Sequence, residues 1–469
     1  MAITNYNFNS SDYVLSSSKR VITCTSTNVT QFKYRFYLEV IYSGKTYAYT
    51  FRPNDVSYGL IDISAIINTL VSPINVQQKL TIPDSLPTGT QSIFQQNIHS
   101  MPHTDVIDGD WGDVYLSTGG SGAKKIDLKL WDFYALTSDV APSKQGASVD
   151  GSMYLLSGYN KSTDLINFDF TDYKLDASWK NFLNGNYDFR GTYYNIDTAI
   201  TDYGTLALLN LTTDVNTTGI GAYRFLVQYH NSADTLLGSQ YFLNTLDFGG
   251  KYDAAGVSDD SMIIHFGCYP ANLNKLDAAY NRPQDQTGLA YYNVLAVSSA
   301  GAQKSRAYRF NIIERCDKYD SQRFAYINKF GVWEYITFNK ERTDKINNTK
   351  TEIKSSIYNY QKAYSQYGAG YNESPFVPGV AHESRRNIAS NVKQSFTIKT
   401  GYLKPHEIEQ VRDMFISSSI NYINEDGTAL ALILTDKSIE EVVVSHKYEQ
   451  TEYRLRFEYS IETYNPILF

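Results

Sequence analysis

Apolar and polar side chains alternate most cleanly near the two ends of the chain. Phe32, Tyr34, Phe36, Leu38, Val40 and Tyr42 are interleaved with Lys33, Arg35, Tyr37, Glu39 and Ile41. A period of two places each set on one face, so the run predicts a half-buried β-strand. Ser43-Gly44 then turns the chain, and Tyr47, Tyr49 and Phe51 alternate again up to Pro53, which predicts a hairpin of a β-sandwich. Asp62 is placed to cap a short helix with Ile63, Ile66, Ile67 and Leu70 on one face, ended by Ser72-Pro73. At the far end, Tyr453, Leu455, Phe457, Tyr459 and Ile461 alternate with Arg454, Arg456, Glu458, Ser460 and Glu462 as a final amphipathic strand. Before it, Pro405 opens a helix striped by Ile408, Val411, Met414 and Phe415 and ended at Ser417-Ser418-Ser419. Strands are expected at Ala429 to Leu434 and Glu441 to Val444.

The middle is less regular. From about 75 to 150 the chain turns to Gln, Thr, Ser, Pro, Asp and Gly, with short apolar runs at Val114 to Leu116 and Ile126 to Trp131, which reads as loops and a few strands. Strand patterns recur at Phe168/Phe170, Leu206 to Leu211, Tyr223 to Tyr229, Gln240 to Leu243, Met262 to Phe266, Tyr291 to Val297 and Tyr308 to Ile312. Arg323 to Phe338 reads as strand, turn at Gly331, and strand, with rings at Phe324, Tyr326, Phe330, Trp333, Tyr335 and Phe338. A polar stretch from Asn339 to Lys354 leads into Tyr358, Tyr360, Tyr364, Tyr367 and Tyr371. Few aliphatics, Gly368, Gly370, Pro375 and Pro378 leave that region without a core of its own, so those five tyrosines are the candidate interface residues of an extended arm.

These patterns divide the chain into a β-sandwich-like domain with a short helix (1–75), a loop-rich β region (76–150) and a central β part of one or two domains ending in the aromatic hairpin (151–338). A polar, Tyr-rich arm or linker (339–395) and a C-terminal α+β domain (396–469) complete it. The expected fold class is mainly β and multidomain: sandwich-like antiparallel β domains with a small C-terminal α+β domain. No repeat of fixed period is present, which excludes a propeller or solenoid reading.

Composition changes this picture in one direction. Forty of 469 residues are Tyr, against seven His and three Cys. Tyr combines an apolar ring with a polar tip and suits half-buried strand faces and wet interfaces. A net charge of −7 lacks the basic footprint of a nucleic-acid binder. Cys24, Cys268 and Cys316 are odd in number and far apart, which argues against a disulfide framework and for a reducing site of synthesis. No stretch approaches 18 consecutive apolar residues, and Met1 to Tyr6 has no basic segment followed by an apolar one. No membrane partner and no export by signal peptide are therefore expected.

Candidate chemistry is sparse. His99 and His103 are four apart with Asp105 and Asp108 nearby, but Pro102 spoils a helical pair, so the reading is surface histidines and no metal. Asp108, Asp110 and Asp113 loosely imitate the start of a calcium loop, yet no Glu follows at the twelfth position, and Asp108-Gly109 is an ordinary turn. His265 and Cys268, with Asp259 and Asp260, invite a nucleophile pair, but His265 lies in an apolar run and reads as a strand residue with its tip satisfied. No nucleophile elbow, zinc-protease helix, phosphate loop or dinucleotide fingerprint is present. Rings and carboxylates also suit a sugar-binding or glycan-cleaving protein, although no spacing identifies a catalytic carboxylate pair.

Three stretches carry a family likeness. Ile313-Glu314-Arg315-Cys316-Asp317-Lys318-Tyr319 running into Arg323 to Phe338 resembles virion proteins of tailed phages infecting Bacteroidota, crAss-like phages among them. The N-terminal hairpin leading to Tyr58-Gly59-Leu60-Ile61-Asp62-Ile63-Ser64 is similar to their opening. The closing unit, with Gly401-Tyr402-Leu403, its helix, Tyr422-Ile423 and the last strand, is similar to their C-terminal domain. The resemblance implies a non-enzymatic virion protein without cofactor, assembled in the host cytoplasm. It would form a homo-oligomeric ring with other virion proteins in the tail, tail hub or head-to-tail connector. The alternatives are a host receptor- or glycan-binding tail protein, with or without depolymerase activity, and an auxiliary capsid protein.

Overall fold

Three apolar cores organise the strands, and the aromatic hairpin formed by Gln322–Ile327 and Trp333–Phe338 is shared between two of them. The structure is a computed structural model describing residues 3–8, 12–71, 98–101, 103–107, 110–114, 116–118, 122–159, 170–175, 178–209, 222, 224–244, 263–315, 318–354, 385–438, 452–460 and 463–466. The protein is mainly β, with several antiparallel and mixed sheets and few helices.

The N-terminal core lies between two sheets. One has the order Asp12–Leu15, Ser143–Leu156, Ala123–Ala135, Phe32–Tyr42, Lys45–Phe51; the other consists of Ile3–Tyr6, Val21–Ser26 and Tyr58–Asp62. The alternation read from sequence holds from Tyr34 to Val40, with Tyr34, Phe36, Leu38 and Val40 buried and Tyr47, Tyr49 and Phe51 packed against the same core, but fails at Phe32, which is 54% exposed beyond a register shift in the pairing. Ile66 and Ile67 of the helix Ser64–Leu70 join it, and the Ser64 N–H donates to Asp62 Oδ1 at 2.9 Å. The stretch expected to be loop-rich supplies the two longest strands here. Ile126, Leu128 and Leu130 point into the core, while Ser143–Leu156, rich in Ser and Gly, is held by its antiparallel pairing with Ala123–Ala135.

The central core sits under a six-stranded mixed sheet ordered Phe189–Arg190, Tyr193–Thr198, Ala307–Ile312, Leu289–Val297, Arg224–Asn231, Leu236–Leu243. Against it lies the short sheet Leu206–Leu209, Ile263–Phe266, Leu116–Thr118, whose first two strands are wholly buried and read as unbroken apolar runs. Phe170 departs from expectation: it begins a 3-10 turn, Phe170–Asp172.

The C-terminal sheet runs Trp333–Phe338, Gln322–Ile327, Ile420–Ile423, Ala429–Leu434, Arg454–Tyr459, Arg385–Lys399, Arg342–Lys354, with Thr463–Pro466 also beside Arg385–Lys399. The aromatic hairpin, read as the end of the central part, thus opens the C-terminal sheet. Ala325, Ile327, Trp333 and Tyr335 face the central core, and Phe324, Tyr326, Ile336 and Phe338 face the third core with Val411 and Met414 of the helix Pro405–Ile416. Two-sided burial explains why eight of the twelve strand residues of the hairpin are apolar or aromatic. Its turn depends on Gly331, whose φ is +74° and whose added Cβ would stand 1.4 Å from the Ser157 carbonyl oxygen. The ends of the polar arm are strands as well: Arg342–Lys354 pairs along its length with Arg385–Lys399. The expected strand at 441–444 and the interface candidates Tyr358, Tyr360, Tyr364, Tyr367 and Tyr371 lie outside the described residues.

Candidate functional site

Where the hairpin meets the central core, charged and polar side chains from distant parts of the chain converge below the surface. Asp202, 3% exposed, accepts a fork from Arg315 at 2.6 and 2.5 Å, and Arg323 Nη1 lies 3.5 Å away. Burial would raise this carboxyl, but the Arg323 and Arg315 guanidinium groups hold it below the usual range. Arg323 also donates to the Tyr203 carbonyl at 2.8 Å and to Thr337 Oγ1 at 2.9 Å, and its plane covers the rings of Tyr269 and Tyr335. Planarity and a fixed donor fork make Arg suited to such a crossing point.

Beside it, His99 is fully buried, edge-on to Trp333 and Tyr335. This corrects the reading of a surface histidine: the polar sequence around it belongs to a turn that Asn272 ties down, donating to the His99 carbonyl at 2.9 Å and to that of Met101. The Asn421 amide lies 3.4 Å from Nε2, which leaves Nδ1 to donate to Tyr335 Oη at 3.0 Å. Desolvation lowers His99 to about 3, so it is neutral at physiological pH. His265 faces the same core and is also lowered by burial to about 3. Neither of its ring nitrogens has a hydrogen-bond partner among the described residues, contrary to the expectation of a satisfied tip. Cys268 is buried, and desolvation pushes its thiol up, away from nucleophile behaviour. Cys316, Asp259 and Asp260 lie outside the described residues, as does Asp108. Among the described residues no cluster of three or more His, Cys, Asp or Glu could hold a metal ion.

On the helix side, Glu334 is 2% exposed and accepts the Gly185 N–H at 3.0 and 3.2 Å, with Asn328 Nδ2 at 3.5 Å. Burial raises its carboxyl to about 7. Such a value suits a proton donor, but the oxygens are engaged by Gly185 and Asn328, and the group acts as a latch between hairpin and central unit. Tyr187 donates to Asp413 Oδ2 at 2.7 Å, and Lys404 pairs with Asp197 at 2.9 Å, joining the helix Pro405–Ile416 to the central unit. A cleft of about 210 Å³ opens here, lined by Asp197, Arg315, Arg323, Glu334 and Lys404 among others. A second cleft of about 690 Å³, bordered by Lys318, Asp320, Lys340, Arg342, Glu425 and Asp426, carries charges of both signs. The partners that join the hairpin and helix to the central unit, such as Asp202 with Arg323 and Gly185 with Glu334, are more than a hundred positions apart, so spacing could not find them. The visible signal was Arg323 and Glu334 inside an otherwise apolar hairpin, since a charge in a doubly buried strand needs a partner.

The third feature lies on the surface. From Thr343 to Glu352 the strand Arg342–Lys354 is exposed on both faces, Ile346 is 67% exposed, and no described strand pairs with its outer edge. Among the described residues no helix is long and apolar enough to cross a membrane. No protein-family model matches the chain, and no curated protein matches it either.

Proposed function

We propose that this chain is a structural component of a tailed-phage virion, assembling as an oligomeric ring in the tail, tail hub or head-to-tail connector region. The observation that carries the assembly reading is the strand Arg342–Lys354, whose outer edge pairs with no described strand: a long unpaired edge is a template for another chain. Its tip, where Lys354 pairs with Arg385, is where the tyrosine-bearing stretch leaves and returns. Phage origin rests on the resemblance of the three stretches named above. A junction whose described carboxylates, Asp202 and Glu334, are engaged by internal donors fits a scaffold better than an enzyme. A glycan-binding reading calls for a groove with exposed rings. In the cleft beside Glu334 the rings of Tyr269 and Tyr335 are buried, 2% and 4% exposed. Electron microscopy of the purified full chain is expected to show closed rings. Shortening of host surface polysaccharide by the same preparation would overturn the structural reading in favour of a depolymerase.

A further inference from the structure

The outward face of the six-stranded central sheet carries side chains unlike those of an ordinary solvated face. Tyr308, Phe310, Tyr292, Val294, Phe225 and Tyr229 point into the core, so Tyr193, Arg309, Tyr291 and His230 lie on the other side. They form one stack across four strands. The Arg309 guanidinium sits 3.9 Å from the Tyr193 ring centroid and 4.0 Å from that of Tyr291, and His230 lies parallel to Tyr291 at 5.0 Å and 4°. Arg309 donates to Tyr193 Oη at 3.0 Å and has Asn293 Oδ1 at 3.4 Å, but no carboxylate among the described residues pairs with it. Its remaining N–H groups are held in a fixed plane and have no acceptor among the described residues.

Through Arg309 runs a row in register of otherwise neutral polar residues: Asn195, Arg309, Asn293, Gln228 and Ser239. Four strand spacings make this row about 19 Å long, the span of about six extended residues. Each amide both donates and accepts, as a main-chain peptide group does. Asn195 Nδ2 and Tyr291 Oη are buried beneath this face and have no hydrogen-bond partner among the described residues. Tyr, Arg and Asn, with the one described carboxylate of this side, Asp197, already paired to Lys404, is the composition of recognition surfaces rather than of solvated ones.

We propose that this face binds an extended, acidic polypeptide segment of a neighbouring protein, with a carboxylate on Arg309 and its backbone along the amide row. Polypeptide fits better than polysaccharide because Tyr291 has both ring faces covered, by Arg309 and His230, so the stack offers edges and amides where a sugar needs an open ring. The inference rests on this geometry and stands whether or not the chain forms rings.

The test is fluorescence anisotropy of labelled poly-L-glutamate with the full chain at low salt, with polygalacturonate as a second probe. Arg309→Gln, with an unchanged melting temperature, is expected to weaken poly-L-glutamate binding roughly tenfold or more. Arg309→Lys keeps the charge but not the planar stack and is expected to fall between. Lys144→Gln, on the N-terminal sheet, should leave binding unchanged. Equal binding by Arg309→Gln, no binding by the wild type, or binding of polygalacturonate alone would each overturn the proposal.

Discussion

Replacing Glu334 by Gln keeps the side chain's shape and an oxygen for the Gly185 N–H, and removes only the ability to ionise. Burial raises this carboxyl from 4.5 to about 7. Below 4.5 the group is protonated folded and unfolded, so its contribution to stability is fully present there. Between the two values the unfolded chain releases the proton while the folded chain keeps it, so stability is lost as pH rises through 7. At about 1.4 kcal/mol per unit, this shift amounts to on the order of 3 kcal/mol. The Glu334→Gln protein lacks that loss. Whatever its offset at pH 4, its stability relative to wild type should rise by roughly 3 kcal/mol by pH 8, about 5 °C in melting temperature. Buried histidines titrate identically in both proteins and cancel in the difference. Thermal melts of the pair from pH 4 to 8 supply the measurement. A difference that stays constant with pH would refute the reasoning, because it would mean Glu334 is ionised in the fold throughout.

Two further substitutions test other parts of the account. His265 is lowered to about 3 from 6.5, so stability is complete above 6.5 and is lost as pH falls toward 3. His265→Leu removes two unpartnered nitrogens and should match or exceed wild type at pH 7, then lose about 1.4 kcal/mol less per pH unit between 6.5 and 4 in urea titrations. Gly331→Ala forces a side chain onto a residue with φ of +74° against the Ser157 carbonyl, and urea unfolding should show a loss of about 3 kcal/mol or more.

Strands with one wet face were legible because their period is local. Phe32–Tyr42, from Tyr34 onward, and Arg454–Tyr459 could be read side chain by side chain, since each alternation records which face is dry. Ser143–Leu156 and Arg342–Lys354 could not. Neither has a sustained apolar face, and each is a strand because a partner laid down elsewhere in the sequence pairs with it. His99 was misread for a related reason: the residues that bury it, Trp333 and Asn272 among them, are distant in sequence. The hairpin was recognised, but its two-sided burial, and so the need for partners at Arg323 and Glu334, shows only once both cores are in place. The forty tyrosines divide accordingly. Tyr229, Tyr292, Tyr308 and Tyr326 fill cores, whereas Tyr193 and Tyr291 order an open sheet face.

Assembly through the open strand is the central claim, and native mass spectrometry of the full chain at micromolar concentration tests it most directly. The account predicts one closed species at a whole-number multiple of 53.1 kDa. It also predicts dissociation toward the single chain in Ile346→Asp, since that exposed position contributes nothing to the monomer's core. A wild-type chain that stays at 53.1 kDa, or an Ile346→Asp chain that assembles as well as wild type, would contradict it.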